Sequence, residues 1–188
     1  MKIYGNRQLK TLPGQTIRPT SSLVREAVFN IWQGSITNCR WLDLCAGNGS
    51  MGAEALCRGA SLVVGIEKWV KACAVIQQNW EQVSQPQQEF RVMRGNVVSQ
   101  LKFLAGQQFD RIYFDPPYAS KLYQPVLEAI AHYQLLDTMG ELGVEHKPNK
   151  WTSPPCPTLE ICRQKVYGNT ALTFYRIESS LNEGFSPK

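Results

Sequence analysis

Two short motifs carry the side chains best suited to chemistry. The first is Asp43-Leu44-Cys45-Ala46-Gly47-Asn48-Gly49-Ser50-Met51-Gly52, whose glycines at 47, 49 and 52 satisfy G-x-G-x-x-G. Glycines at this spacing let a chain turn sharply from strand to helix and let its backbone approach a ligand. Glu67 stands 20 residues beyond Gly47, at the end of the next apolar run. A carboxylate there can accept hydrogen bonds from ribose hydroxyls. Together these features point to a cofactor that contains a nucleoside. A dinucleotide would place its pyrophosphate at the helix N-terminus. Asp43, just before the loop, would repel it and could instead hold an ammonium group. That favours S-adenosyl-L-methionine, which has no phosphate.

The second motif is Phe114-Asp115-Pro116-Pro117-Tyr118. Two successive prolines remove two backbone donors and stiffen the chain. What remains is the Asp115 carboxylate and the Pro116 carbonyl, two acceptors on a rigid support beside the Tyr118 ring. That array suits an exocyclic amino group on a flat base. Such a nitrogen is a poor nucleophile because its lone pair is delocalised into the ring. Acceptors that take its N–H bonds favour a more pyramidal nitrogen, with the lone pair free to meet a methyl donor. Tyr118 would stack on the base.

The pattern around these motifs is that of an α/β fold. Strands are expected at 41–45, 62–66, 90–94, 109–114, 141–146, 159–166 and 170–177, and helices at 50–58, 68–83, 97–104 and 121–133. Repeated strand–helix alternation implies a mostly parallel central sheet with helices on both faces. Tyr167-Gly168-Asn169 reads as a hairpin turn, so the sheet should end in an antiparallel pair. Ahead of this body, Pro19-Thr20-Ser21-Ser22 signals a helix start, and the apolar stripe from Leu23 to Trp32 gives a helix ending near Gly34. Residues 1–17 read as a strand or arm with a turn at Pro13-Gly14. At 188 residues the chain has room for one catalytic domain at 37–180, a basic N-terminal extension at 1–36 and a short tail at 181–188.

Charge is unevenly placed along the sequence. Residues 1–40 carry six cations and one acid, whereas residues 41–188 carry fourteen of each. Arg7, Lys10, Arg18, Thr20 and Arg25, with Tyr4 and Trp32 interleaved, are candidates for contact with RNA phosphates and unstacked bases. Arg18 and Arg25 could instead pair with local acids such as Glu26. The six cysteines contain no C-x-x-C pair and give no disulfide framework. Cys156, Cys162 and His146 match no common zinc ligand set, so no metal is expected. No run approaches the ~20 apolar residues of a membrane helix. The polar N-terminus lacks a signal-peptide core, and a cytoplasmic location follows as the expectation. His146 and His132 read as structural or surface residues.

Taken together, Arg18-Pro19-Thr20, Val24-Arg25-Glu26-Ala27-Val28-Phe29-Asn30, the glycine loop, Glu54-Ala55, Arg58-Gly59-Ala60, the Asp-Pro-Pro-Tyr motif and Lys165-Val166-Tyr167-Gly168-Asn169-Thr170 resemble the RsmD family. Those enzymes methylate guanine N2 in 16S, small-subunit ribosomal RNA. The resemblance spans about Ile3 to Arg176. It implies a Rossmann-like class I methyltransferase fold and S-adenosyl-L-methionine as methyl donor. The substrate would be small-subunit ribosomal RNA, free or in an assembling particle, with the enzyme a monomer. It also implies that Asp43, Ala46, Gly47, Asn48, Gly49, Glu67, Lys68, Asn96, Val97 and Asp115 surround the cofactor. Asp115, Pro116, Pro117 and Tyr118 would hold the guanine. One departure stands out, because Asn96 occupies a position where the family commonly has Asp to accept from the adenine amino group. Asn96 retains one side-chain oxygen for that contact. Three other readings share some of these features: an amino-methyltransferase of DNA adenine or another RNA, a non-catalytic RNA-binding or ribosome-assembly protein on the same fold, and a nicotinamide dehydrogenase.

Overall fold

The computed structural model describes residues 1–12, 21–154, 156 and 158–178. The expected turn at Pro13-Gly14, together with Arg18 and Thr20, lies outside the described residues. Helix α1 (Ser22–Ile31) starts at Ser21, whose side chain accepts from the Val24 N–H at 3.2 Å. After it come β1 (Arg40–Leu44), α2 (Ser50–Cys57), β2 (Leu62–Glu67), α3 (Val70–Val83), β3 (Glu89–Arg94) and α4 (Val97–Leu101). The chain continues through β4 (Phe109–Phe114), α5 (Tyr123–His132), β5 (Leu136–His146), β6 (Leu159–Tyr167) and β7 (Thr170–Ile177).

The seven strands form one sheet in the order β3-β2-β1-β4-β5-β7-β6. The first five are parallel, while β7 runs antiparallel to both β5 and β6. The expected terminal hairpin is present, and its second strand is inserted between β5 and β6. Strand order reverses direction at β1 and β4. In doubly wound sheets the crevice at such a reversal, above the carboxyl ends of the strands, is where ligands bind.

Each face of the sheet has its own core. On one face α1, α2 and α3 bury Phe29, Trp32, Trp41, Trp80 and Phe174, and on the other α4 and α5 bury Leu42, Leu44, Phe109 and Phe114. The split follows from the period-two geometry of a strand, since Trp41 and Leu42 point to opposite faces. Trp80 sets the spacing of α2 from β2. A Cβ on Gly52 would stand 2.3 Å from its ring and one on Gly65 2.5 Å. Its indole N–H donates to the Gly49 carbonyl at 2.7 Å. The third glycine of the motif therefore serves close packing of helix on sheet.

Two boundaries differ from expectation. Strand β5 begins at Leu136 rather than 141, because Phe109 pairs with Leu136 before a register shift restores the pairing of Arg111 with Glu141. The half-exposed stretch Asp137-Thr138-Met139 carries no apolar alternation that would reveal this from sequence. Helix α4 is also short, and a single 3-10 turn at Lys102–Leu104 completes it.

Residues 1–12 pack against this body. Ile3 and Leu9 join the core shared with α1 and α3. Arg7 donates to the Val83 carbonyl at 2.8 Å, and the Lys10 N–H donates to Asn79 Oδ1 at 2.8 Å. Among the described residues no helix is long and apolar enough to cross a membrane.

Candidate active site

A cavity of about 770 Å³ opens at the carboxyl ends of the parallel strands. It is bounded by the loop after β1, the end of β2, the start of α4, the turn after β4, the end of β5 and the first residue of β7. Twelve residues singled out by the sequence line it: Asp43, Ala46, Gly47, Asn48, Glu67, Lys68, Asn96, Val97, Asp115, Pro116, Pro117 and Tyr118.

At the loop end, backbone donors hold the carboxylates. Asp43 is buried, and its Oδ2 accepts from the Gly52 N–H at 3.0 Å. This N–H is among the unpaired donors of the first turn of α2, so the helix N-terminus already has an anion from within the chain. Burial pushes the Asp43 carboxyl up to about 7; the Gly52 N–H opposes the rise and the neighbouring Glu67 adds to it. Glu67 accepts from the Gly47 N–H through Oε2 and from the Trp69 N–H through Oε1, each at 2.9 Å. The carboxylate expected on the ribose thus also closes the glycine loop, with one lone pair on each oxygen still to offer. Gly47 and Gly49 have φ of 58° and 73°, which favours glycine at both positions. Gly49 does not line the cavity, because its Cα lies beneath Trp80 and Ile76. Asn48 is buried on the cavity wall, and its Nδ2 has no partner among the described residues.

Asn96 differs from its expected use. Its Oδ1 caps α4, accepting from the Val98 N–H at 3.0 Å and the Ser99 N–H at 3.4 Å. The oxygen assigned to the adenine amino group is engaged by the helix, so Asn96 offers the cavity an amide donor. An aspartate at this position could cap with one oxygen and present the other.

At the opposite end the structure adds residues that the motifs did not disclose. Glu145 on β5 is buried, accepting from the Tyr113 hydroxyl at 2.5 Å and the Tyr118 hydroxyl at 2.7 Å. Tyr118 also lies 3.2 Å from the Thr170 hydroxyl, and Tyr123 donates to the Glu145 carbonyl at 3.2 Å. Burial, with Glu145 nearby, raises both the Tyr113 and the Tyr118 hydroxyls above the usual tyrosine value, so they remain protonated donors. The Tyr118 ring is therefore fixed from its far end. Ser120, which also lines the cavity, has a buried hydroxyl with no partner among the described residues. Glu145 has one visible sequence signal, an acid that directly follows the apolar run Leu142 to Val144, where a buried charge needs partners. His146, beside it, faces Thr173 at 2.9 Å and Trp151, and burial lowers its imidazole below the usual value.

The described candidates for RNA contact, Arg7, Lys10 and Arg25, do not line this cavity. Arg25 is 3% exposed, and its Nε donates to Glu54 Oε2 at 2.6 Å. Glu54 also receives Arg58 at 2.8 Å, while Arg25 Nη2 donates to the Lys2 carbonyl at 2.9 Å. Arg25 thus ties α1, α2 and the N-terminal segment together and is not available to a phosphate. Arg7 and Lys10 are exposed but bind along α3, with Lys10 Nζ 3.0 Å from Gln78 Oε1. The interleaved aromatics are likewise used internally. Tyr4 covers Arg58 at 4.4 Å, and buried Trp32 donates to Glu141 at 2.8 Å.

A family model described as "Conserved hypothetical protein 95" matches residues 1–176. The chain belongs to this family. Membership rests on nearly the whole described chain and not on the Asp-Pro-Pro-Tyr motif alone, and it is the RsmD-type family that the motifs resemble. A Bacillus subtilis member named "Putative rRNA methyltransferase YlbH" is 30% identical over 172 residues, covering 90% of this chain and 93% of the relative. "Ribosomal RNA small subunit methyltransferase D" of Escherichia coli K12 is 28% identical over 185 residues, 94% of this chain and 87% of the relative. Among solved structures, "Putative methyltransferase yhhF from Escherichia coli" superimposes with a TM-score of 0.82 at 26% identity, covering 95% of this chain and 98% of that one. The fold of this family member is the Rossmann-like class I methyltransferase fold.

Proposed function

We propose that the protein transfers a methyl group from S-adenosyl-L-methionine to the exocyclic N2 of a guanine in small-subunit ribosomal RNA. The observation that carries this reading is the charge of the cavity: four carboxylates, Asp43, Glu67, Asp115 and Glu145, line it against one ammonium, Lys68. An acidic cavity disfavours a pyrophosphate, and Asp43 already meets the helix N-terminus where one would sit. The same walls fit S-adenosyl-L-methionine, whose ammonium and sulfonium are cationic. Asp43 would face the cationic end of that cofactor, the unpaired Asn48 amide would meet its carboxylate, and Glu67 its ribose. When bound, the cofactor supplies a methyl group activated for transfer by its positive sulfur.

The remaining tasks fall to the chain itself. Asp115 and the Pro116 carbonyl accept from the target amino group and orient it, and positioning of this kind contributes roughly 7–11 kcal/mol in the best cases. Asp115 also stabilises the nitrogen as it becomes cationic. The surplus proton passes to Asp115 or to water at the open mouth. Tyr118, anchored by Glu145 and Thr170, supplies a ring face for the base. The names of the family relatives support ribosomal RNA as substrate. A monomeric state and a cytoplasmic location are part of the same reading.

The test is incubation with labelled S-adenosyl-L-methionine and small ribosomal subunits from cells lacking the protein, followed by identification of the labelled nucleoside. N2-methylguanosine is the expected product. Label in adenine, or cofactor binding with no label transferred, would overturn the proposal.

A further inference from the structure

The cations of residues 1–40 were the sequence's candidates for RNA, but those described are engaged inside the chain or lie away from the cavity. Arg25 is ion-paired, Arg7 and Lys10 bind along α3, and Arg40 lies over Phe109 at the amino end of β1. The body, electrically balanced in sequence, is polarised by its fold. The segments 68–71, 94–98, 116–122, 147–151 and 165–169 carry cations and not one acid. All of them gather at the cavity end of the sheet. Lys71 is in the first turn of α3, Arg94 ends β3, Lys121 precedes α5, and Lys147 and Lys150 follow β5. Lys165 pairs with Leu172, which on its other side pairs with Glu145, so it too stands level with the cavity.

These six side chains are exposed, Lys147 partly, and among the described residues none is ion-paired. The acids Glu81, Glu89, Asp110, Asp137, Glu160 and Glu178 sit at the opposite edge, near the amino ends of β3 to β6 or the chain ends that adjoin them. Glu26 and Glu128 lie on the helical flanks.

We propose that this cationic rim grips the phosphodiester backbone of the substrate RNA on either side of the target base. The proposal rests on the methyltransferase reading above. Rim and cavity have opposite charge, so phosphates are held outside while a base turned out of its stack enters among the carboxylates. Lysines on flexible stems fix register without reading sequence.

The experiment measures affinity for a small-subunit ribosomal RNA transcript across salt, using full-length wild type and a variant with Lys121→Gln, Lys147→Gln, Lys150→Gln and Lys165→Gln. A Lys2→Gln, Lys10→Gln variant reports on the N-terminal segment. The slope of log affinity against log salt should fall by about 3 in the rim variant, at roughly 0.7–0.9 for each phosphate no longer neutralised. The N-terminal variant should keep the wild-type slope. Affinity for S-adenosyl-L-methionine, measured on both, should not change and verifies folding, and single substitutions should each remove about one unit of slope or slightly less. An unchanged slope in the rim variants, or a loss confined to the N-terminal variant, overturns the rim. A wild type that binds the cofactor but no RNA overturns the RNA reading itself, so the two failures are told apart.

Discussion

At the glycine-loop end of the cavity, backbone N–H groups hold Asp43 and Glu67; at the Asp-Pro-Pro-Tyr end, side-chain hydroxyls hold Glu145. Asp43 and Glu67 accept from Gly52, Gly47 and Trp69, all within a few residues of a strand end. Glu145 accepts from tyrosines on β4 and the turn after it, while Thr170 from β7 closes the network. The first end is a local construction that survives most side-chain changes. The second depends on three separate strands being in register. Binding of a cofactor should therefore tolerate substitutions at the second end, and turnover should not.

The sharpest test of this division is Asp115→Ala. Loss of the group that orients and stabilises the amino nitrogen should lower methyl transfer by about 10³-fold, the upper range for removing one such electrostatic partner. Cofactor affinity, measured by calorimetry, should stay within about threefold, since the loop end is intact. A comparable loss in both quantities would break the comparison.

Glu145→Gln should act more mildly. It keeps one acceptor and lets the other tyrosine hydroxyl adjust, so kcat should drop about tenfold, in line with loss of about 1.4 kcal/mol of positioning. KM for the cofactor should hold. If Glu145 works through Tyr118, the double variant Glu145→Gln with Tyr118→Phe should lose less than the two single losses combined. Additive losses would place Glu145 on the substrate directly.

The smallest effect concerns pH at the loop end. A carboxyl raised from its ordinary 3.8 to about 7 must lose its proton to face a cationic ligand. Cofactor affinity should rise with pH up to about 7 and level off above it, with at most about a tenfold change per unit below. The ligand-free protein follows the opposite sign. The folded state holds this proton more tightly than the unfolded chain, so the group's contribution to stability falls between about 4 and 7 and is flat beyond. Asp43→Asn keeps an acceptor for the Gly52 N–H and should abolish both dependences, seen in titrations and thermal midpoints at pH 6 and 8.

Much of the architecture was legible because it is local. The glycine loop, the Asp-Pro-Pro-Tyr turn and the hairpin at Gly168 each need only a short stretch of chain, and the strand–helix alternation follows from periodicity. The first half of β5 was not legible, since Leu136 to Gly140 becomes a strand by pairing with Phe109. Nor was Glu145, an acid whose meaning is given by hydroxyls 32 and 27 residues away. Asn96 shows a finer limit, because its residue type was read correctly but its oxygen was already committed to capping α4.

Sequence alone therefore determined the elements, the motifs and the cofactor class they suit, since each is encoded in contiguous residues whose backbone preferences and charges act at short range. Tertiary structure decided which charges are free. It buried Arg25 against Glu54 and gathered cations from five separate segments around one opening. The physical reason is that a charge is useful to a ligand only when no closer partner has it. That depends on three-dimensional neighbours, which the order of residues along the chain does not display.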